Sequence, residues 1–187
     1  MDRNFKLSLI QPLSKQCIAI GLKDFEAVFN YIKQLSYGRN SDRSDYTLVI
    51  NENKGTCSTK HAFLKAIAIE NNVEDLKLFI GIFKMNVDNT PKIKSILSEH
   101  HLTYIPEAHC YLKQNEVILD ITFNKQNHSP FSETLLHEET ILPKQIGDYK
   151  LALHKSYLKS WIEREQLFIS FEDLWTIREA CIHKISE

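Results

Sequence analysis

The sequence has few of the residues that break or disorder a chain, and it has no excess of either charge. Of its 187 residues, only five are glycine and five are proline, which excludes collagen-like and low-complexity proteins. Lysine and arginine together number 23, against 24 aspartates and glutamates, for a net charge of −1. Binding to phosphates or to anionic lipids requires an excess of basic residues, which this sequence lacks. We therefore expect neither a nucleic-acid nor a membrane partner.

Long apolar segments and paired cysteines are also missing. The longest strongly apolar run, Leu78 to Phe83, is far shorter than the roughly 20 residues that span a bilayer. The amino terminus carries no pattern typical of a secretion signal. The four cysteines, none of them in a CxxC pair, are Cys17, Cys57, Cys110 and Cys181. This spacing favours free thiols in a reducing compartment, so we expect a soluble, cytoplasmic protein with one domain over residues 1–187.

The apolar pattern predicts both helices and strands. Apolar residues recur at helical spacing over Asp24 to Leu35 and again after Thr56, whereas Leu76 to Met85 and Tyr46 to Ile50 are typical of strands. The further predicted elements are a short helix opened by Thr90-Pro91, a strand near Thr140 to Leu142, a helix over Lys155 to Glu165, and a final helix that starts at Ser170 with a capping box to Asp173. The fold class is therefore predicted to be α+β, closed by helices within 155–187.

A hairpin is predicted in the middle of the chain. Two extended runs, Glu107 to Leu112 and Glu116 to Phe123, are separated by the polar Lys113-Gln114-Asn115. With a simple three-residue loop, Leu112 would lie opposite Glu116 and His109 would face Leu119. A bulge or a longer loop would bring Asp120 closer to His109.

Three residues within these elements carry the chemistry of a thiol nucleophile. Thr56 is a suitable N-cap, which places Cys57 in the first turn of a helix, where backbone N–H groups and the helix dipole stabilise a thiolate. His109 on one strand and Asp120 on the next supply a base and the group that orients it. The Cys57 backbone N–H is the first candidate donor to an oxyanion. A second donor could come from Asn40, Asn51 or Asn53, and Arg39 and Asn40 are candidate substrate-binding residues in a polar loop.

Three sequence blocks around these residues resemble the transglutaminase-like superfamily of papain-type folds. The blocks are Lys54 to Leu64, Glu107 to Leu112, and Val117 to Thr122, all within residues 54–123. The resemblance implies a nucleophile-bearing central helix packed on an antiparallel sheet. It also implies that Cys57 is the nucleophile, His109 the general base and acid, and Asp120 the orienting group, with a protein or peptide amide as substrate and no cofactor.

The sequence departs from the commonest pattern of that family at two places. Ser58 follows the cysteine where many members have an aromatic residue, and Cys110-Tyr111 follows the histidine in place of a small residue and tryptophan. Crosslinking, deamidation and hydrolysis therefore all stay open as reactions.

Two alternatives to a thiol enzyme remain at this stage. One is a catalytically silent domain of the same fold that binds a protein partner. The other is a zinc site formed by Cys57, His61, His109 and Cys110. Adjacent residues on a strand point to opposite faces, so His109 and Cys110 could meet one ion only with a local distortion. We therefore expect no metal.

Overall fold

The computed structural model describes residues 4–122 and 129–186 and has an α+β architecture. Within these residues the helices are α1 (Pro12–Ala19), α2 (Phe25–Gln34), α3 (Leu48–Glu52), α4 (Cys57–Glu70), α5 (Lys94–Glu99), α6 (Asp148–Arg164) and α7 (Phe171–Ser186). The strands are β1 (Ser36–Tyr37), β2 (Lys54–Gly55), β3 (Leu76–Met85), β4 (Ile105–Gln114), β5 (Val117–Leu119) and β6 (Leu135–Ile141). Strands β3 to β6 form a sheet in the order β5-β4-β3-β6, and β1 pairs in parallel with β2. The predicted α+β class is confirmed.

The described residues form two compact units. Those of the first unit fall within Met1–Ile80, Cys110–Lys125 and Thr140–Asp148, and those of the second within Gly81–His109, Gln126–Glu139 and Tyr149–Glu187. The single domain expected over residues 1–187 stays a prediction.

Helix α4 is the buried centre of the first unit. Its buried residues are Cys57, Ser58, Thr59, Lys60, His61, Ala62, Phe63, Leu64, Ala66, Ile67 and Ala68. A helix that is enclosed on almost every side must hold its polar side chains by specific hydrogen bonds, because an unpartnered buried polar group costs about 1–3 kcal/mol. The polar residues of α4 therefore have defined partners, and those partners build the candidate site.

Helix α1 was not predicted from the sequence, because its cap comes from a distant residue. Its N-cap residue, Gln11, makes no side-chain cap. The carboxylate of Glu70, at the end of α4, instead accepts hydrogen bonds from the backbone N–H groups of Leu13 at 2.9 Å and Ser14 at 2.8 Å. A negative charge at this end of a helix also favours the helix dipole.

The predicted strand over Tyr46 to Ile50 is wrong, because this segment enters helix α3. One Asp45 carboxylate oxygen accepts hydrogen bonds from both the N–H and the hydroxyl of Thr47, at 2.8 and 2.6 Å. The helix ends at Asn53, whose φ of 51° is left-handed. These local hydrogen bonds outweigh the strand preference of the β-branched residues in the segment.

The other predicted elements agree with the structure, with some shifts of boundary. Asp24 caps α2, Thr56 caps α4, and Ser170 pairs with Asp173 at the start of α7. The strand near Thr140 starts earlier, as β6, and the predicted helix over Lys155 to Glu165 starts earlier, as α6. The second run of the predicted hairpin, Glu116 to Phe123, forms a shorter strand, β5, that ends at Leu119. The placement of Asp120 on a strand is therefore wrong, and Phe123 lies outside the described residues.

The second unit is held together by an apolar cluster between α5, α6, α7 and the neighbouring strand segments. Its buried members are Phe83, Met85, Ile93, Leu97, Ile105, Leu158, Trp161, Leu174, Ile177 and Cys181. Trp161 also donates its indole N–H to the hydroxyl of Tyr104 at 2.9 Å. The cluster therefore buries large side chains without leaving this indole nitrogen unpaired.

A buried ionic cluster lies within the second unit. The guanidinium of Arg178 makes a two-pronged contact with the Glu107 carboxylate, with Nε at 2.7 Å from Oε2 and Nη2 against Oε1. His154 donates from Nε2 to the carbonyl of Pro106 at 2.8 Å, and this nitrogen lies 3.7 Å from Glu107 Oε2. All three charged or titratable side chains are nearly enclosed.

We expect acid to destabilise this cluster. Burial alone would raise the pKa of Glu107, but the charges of Arg178 and His154 hold that pKa at about 2. Glu107 therefore contributes stability that is present above the ordinary carboxyl pKa of 4.5 and is lost as the pH falls from there towards about 2. Burial lowers the pKa of His154, so the unfolded chain binds its proton first as the pH falls, which also favours unfolding.

Urea unfolding from neutral pH down to about pH 3 measures this dependence. The expected result is a midpoint that falls as the pH falls, and that falls less steeply when Glu107 is replaced by glutamine. A midpoint that stays constant over this range would contradict the pKa directions given for Glu107 and His154.

Candidate functional site

The hairpin that carries Asp120 closes with a two-residue turn rather than the expected three-residue loop. Asn115 and Glu116 have φ angles of 48° and 66°, as both central residues of a type I′ turn require. Leu112 pairs with Leu119, so the expected pairings of Leu112 with Glu116 and of His109 with Leu119 are wrong. The sequence lacks the Asn-Gly signal that commonly marks such a turn.

Cys57 is the first residue of α4, as predicted. Thr56 and Thr59 form a reciprocal capping box, in which the Thr59 hydroxyl accepts from the Thr56 N–H at 3.0 Å and the Thr56 hydroxyl accepts from the Thr59 N–H at 3.5 Å. Cys57 is 7% exposed, and its Sγ lies 3.9 Å from the hydroxyl of Ser58. A thiol held at a capped helix start lies where the helix dipole favours its ionised form.

Gly55 lets the chain pass close to the first turns of α4. A Cβ placed on Gly55 would lie 2.9 Å from Lys60 Cγ, 3.0 Å from Thr59 Oγ1 and 3.3 Å from Val49 Cγ2. These atoms belong to buried side chains with fixed partners, so they cannot all move away without cost.

The substitution Gly55→Ala should therefore destabilise the protein by about 1–3 kcal/mol, the usual cost of overpacking a buried site. Urea unfolding measures the change. Gly38→Ala is the matched control, because a Cβ there meets only Lys54 Cδ, at 3.5 Å. Equal unfolding midpoints for the two variants would contradict the packing described for Gly55.

Asn40, a predicted substrate-binding residue, lies in the hydrogen-bond network behind this turn. Its amide nitrogen donates to Glu52 Oε2 at 3.0 Å and to the carbonyl of Lys54 at 3.1 Å, and its amide oxygen accepts from the Thr59 hydroxyl at 2.8 Å. Asn40 is 5% exposed, so its polar atoms hold the segment before Cys57 in place. Arg39 is exposed, and the substrate-binding roles of Arg39 and Asn40 stay predictions.

The other two candidate oxyanion donors make contacts on the first unit's exterior. The Asn51 amide oxygen accepts from Gln16 Nε2 at 3.1 Å, and that of Asn53 accepts from the Tyr31 hydroxyl at 3.0 Å. These contacts fix the amides to α1 and α2. Their proposed contribution to an oxyanion site is untested.

His61 joins the start of α4 to the segment that follows β5. Its Nδ1 lies 2.7 Å from the carbonyl oxygen of Cys57, and its Nε2 lies 2.9 Å from the backbone nitrogen of Ile121. The backbone N–H of Ile121 can only donate, so Nε2 accepts and Nδ1 carries the proton that goes to the Cys57 carbonyl. His61 is therefore a neutral imidazole with both ring nitrogens engaged. From the sequence, His61 is a candidate only for metal binding, and its contact with Ile121 has no local sequence signal.

Asp120 lies at the end of this connection, just beyond β5. Its Oδ1 accepts hydrogen bonds from the N–H and the hydroxyl of Thr122, at 2.9 and 2.6 Å. The same oxygen lies 3.5 Å from His61 Nε2. Because that nitrogen already accepts from Ile121, the contact of His61 with Asp120 is not an ion pair.

Lys60, the residue before His61, is attracted electrostatically to the Asp120 carboxylate. Burial lowers the pKa of Lys60 to about 8, although attraction to the Asp120 carboxylate favours the charged form. The Lys60 ammonium donates to the carbonyl of Leu35 at 2.6 Å. Two consecutive residues of α4 thus interact with the segment that contains Asp120.

His109 is described within the second unit, where it lies on β4 and contacts two aromatic rings. Its ring centroid is 6.0 Å from that of Phe83 and 4.6 Å from that of Phe131, with both contacts edge-to-face. The side chain is half-buried. These rings restrict the orientation of the imidazole.

A zinc site of Cys57, His61, His109 and Cys110 is the second alternative to a thiol enzyme. Among residues 4–122 and 129–186, no group of three or more His, Cys, Asp or Glu side chains is arranged to hold a metal ion. Both ring nitrogens of His61 are engaged in hydrogen bonds. The same ranges contain no helix with the length and apolar character needed to cross a bilayer.

Comparison of the chain with protein-family models, with curated proteins and with solved structures finds no match. The function is therefore inferred from the residues and contacts of this chain.

Proposed function

We propose that the protein is a thiol-dependent enzyme of the transglutaminase-like, papain-type kind, which catalyses acyl transfer or hydrolysis at an amide bond. Cys57 is the nucleophile, His109 the general base and acid, and Asp120 the orienting carboxylate. The substrate is a protein or peptide amide, handled in the reducing cytoplasm. No cofactor is required for this chemistry.

The proposal rests on one observation in the first unit. Cys57 and Asp120 are far apart in the sequence, yet a single imidazole spans them: His61 lies 2.7 Å from the Cys57 carbonyl and 3.5 Å from the Asp120 carboxylate. A helix start that bears a thiol and a strand end that bears a carboxylate are thus neighbours within the first unit. This proximity supports the proposal, because the orienting acid of a triad lies within one imidazole of the nucleophile.

The proposed reaction starts with transfer of the thiol proton from Cys57 to His109. The thiolate attacks the amide carbonyl carbon, and the Cys57 backbone N–H is positioned at the helix start to donate to the oxyanion. When the tetrahedral intermediate collapses, the C–N bond breaks and His109 returns its proton to the leaving amine. Water or a second amine then attacks the thioester and releases Cys57, with His109 again transferring the proton.

The surroundings of the other cysteines favour Cys57 as the reactive thiol. Burial raises the pKa of Cys17 to about 12 and that of Cys181 to about 11. Both side chains, and that of Cys110, have no exposed surface, whereas Cys57 retains 7%. Thiolate character and access together determine cysteine reactivity. The helix start favours a thiolate at Cys57, and Cys57 is the most exposed of the four cysteines.

Brief alkylation of the folded protein with iodoacetamide, followed by peptide mass spectrometry, tests this proposal. Cys57 is expected to be labelled fastest, because its thiol lies at a capped helix start and retains access to solvent. Urea-unfolded protein is the control, in which the four cysteines should react at similar rates. If Cys57 in the folded protein reacted no faster than Cys17 or Cys181, the catalytic proposal would give way to a catalytically silent binding domain.

A further inference from the structure

We propose that His61 is a positioning residue of the active site. In this role its neutral imidazole fixes the Asp120–Ile121 segment to the first turn of α4 and so sets the position of Asp120 relative to Cys57. The inference rests on the proposed function, since it assigns a task to a residue that the Cys57, His109 and Asp120 mechanism does not use. His61 itself neither attacks nor transfers a proton.

The hydrogen bonds of His61 exclude it as the catalytic base. Nε2 receives the Ile121 N–H, and the proton on Nδ1 goes to the Cys57 carbonyl oxygen. A base needs a free lone pair directed at the thiol, and His61 has none available in this arrangement. The ring is completely buried, which leaves the link between two backbone segments as its chemical task.

The segment that His61 holds lies just past a strand. The described pairing of β5 with β4 ends at Leu119, so Asp120 and Ile121 lie beyond the ladder. Ile121 is 1% exposed, and its backbone N–H donates to His61 Nε2. Loss of that acceptor would leave a buried N–H unsatisfied, which favours a shift of the segment towards another partner.

Two neighbouring residues of α4 also interact electrostatically with the Asp120 carboxylate. Lys60 attracts Asp120, and the Nε2 lone pair of His61 faces it across 3.5 Å. If His61 were protonated on Nε2, its N–H would turn the contact with Asp120 into an ion pair and would oppose the Ile121 N–H. The neutral ring therefore leaves the negative charge of Asp120 without a counter-charge from His61.

The test compares side-chain replacements that keep or remove the acceptor for Ile121. His61→Gln can place an amide oxygen where Nε2 lies, whereas His61→Phe keeps a ring and removes the acceptor. His61→Asn is too short to reach Ile121 but can still donate to the Cys57 carbonyl. Ile67→Val, which leaves a small cavity beside the same buried helix, is the control for a general loss of packing.

The measurement is the pH profile of Cys57 alkylation by iodoacetamide, which reports the midpoint of thiolate formation. We expect His61→Gln and Ile67→Val to keep the wild-type midpoint. His61→Phe and His61→Asn should raise the midpoint by about one pH unit, because a displaced Asp120 no longer supports the His109 imidazolium that stabilises the Cys57 thiolate in the proposed mechanism. Asp120→Asn should raise it similarly, and adding His61→Phe to Asp120→Asn should raise it no further, because both changes act on the same group.

The outcomes separate this inference from the proposed function. A wild-type midpoint equal to that of the urea-unfolded protein would overturn the proposed function itself. A depressed wild-type midpoint that His61→Phe leaves unchanged, or shifts additively with Asp120→Asn, would overturn the role of His61 alone. If His61→Phe does not fold, the His61→Gln and His61→Asn pair decides: equal midpoints for these two variants would also overturn the role.

Discussion

Replacement of Cys57 with alanine should abolish catalysed release of p-nitrophenolate from p-nitrophenyl acetate while the protein stays folded. This ester supplies a good leaving group, so the reaction can be followed without the natural amide. The variant cannot form a thioester, and covalent catalysis is lost completely. Cys57 is a small residue at the start of α4, so alanine fits the helix and the far-ultraviolet circular dichroism should not change.

Two further variants extend this prediction to the rest of the proposed triad. His109→Ala should lower the rate at least about a hundredfold, because positioned proton transfer contributes roughly 10²–10⁴-fold. Asp120→Asn should be milder, because nucleophile and base remain. Combining Cys57→Ala with His109→Ala should add little, since residues that act as one unit are not additive. A folded Cys57→Ala variant with the wild-type rate would exclude thiol catalysis.

Removal of one partner from the buried ionic cluster should have the largest effect on stability. Arg178→Met leaves the Glu107 carboxylate buried without its two-pronged partner. Breaking a buried pair in this way typically costs about 3–5 kcal/mol, and urea unfolding measures the cost. Arg164→Met is the control, because Arg164 is exposed and surface substitutions usually change stability by less than about 0.5 kcal/mol.

A double variant shows whether the stability lost in Arg178→Met comes from the unpaired Glu107 carboxylate. Replacing Glu107 with leucine together with Arg178→Met removes both charges, and well-packed apolar replacements of a buried pair are often neutral or stabilising. We expect the double variant to be more stable than Arg178→Met alone. A double variant that is less stable would mean that the pair itself, rather than the unpaired Glu107, supplies the stability.

Elements with local signals could be predicted from the sequence. Asp24, Thr56 and Ser170 each cap the helix that they precede. The apolar residues of β3 lie within the strand itself. Helix α1 could not be predicted, because Glu70 at the far end of α4 holds its first turn. A cap that comes from a distant element leaves no local pattern.

In the candidate site too, features with a local sequence signal could be predicted and features that depend on distant residues could not. The position of Cys57 depends on Thr56 and on the apolar face of α4, both of which are local, and it was predicted correctly. The role of His61 depends on a backbone N–H far along the chain, at Ile121. The hairpin register depends on a turn in which Glu116 takes a left-handed φ, which is uncommon for that residue type. Neither feature has a sequence signal of its own.

The most direct test of the central claim is the intact mass of the protein during its reaction with p-nitrophenyl acetate, followed by peptide mapping. A nucleophilic Cys57 predicts a transient acetyl group on that residue, which appears before steady-state release and decays when the ester is exhausted. Asp120→Asn should form the same adduct more slowly. If wild-type protein turned the ester over with Cys57 unmodified at every time point, the proposed mechanism would be wrong.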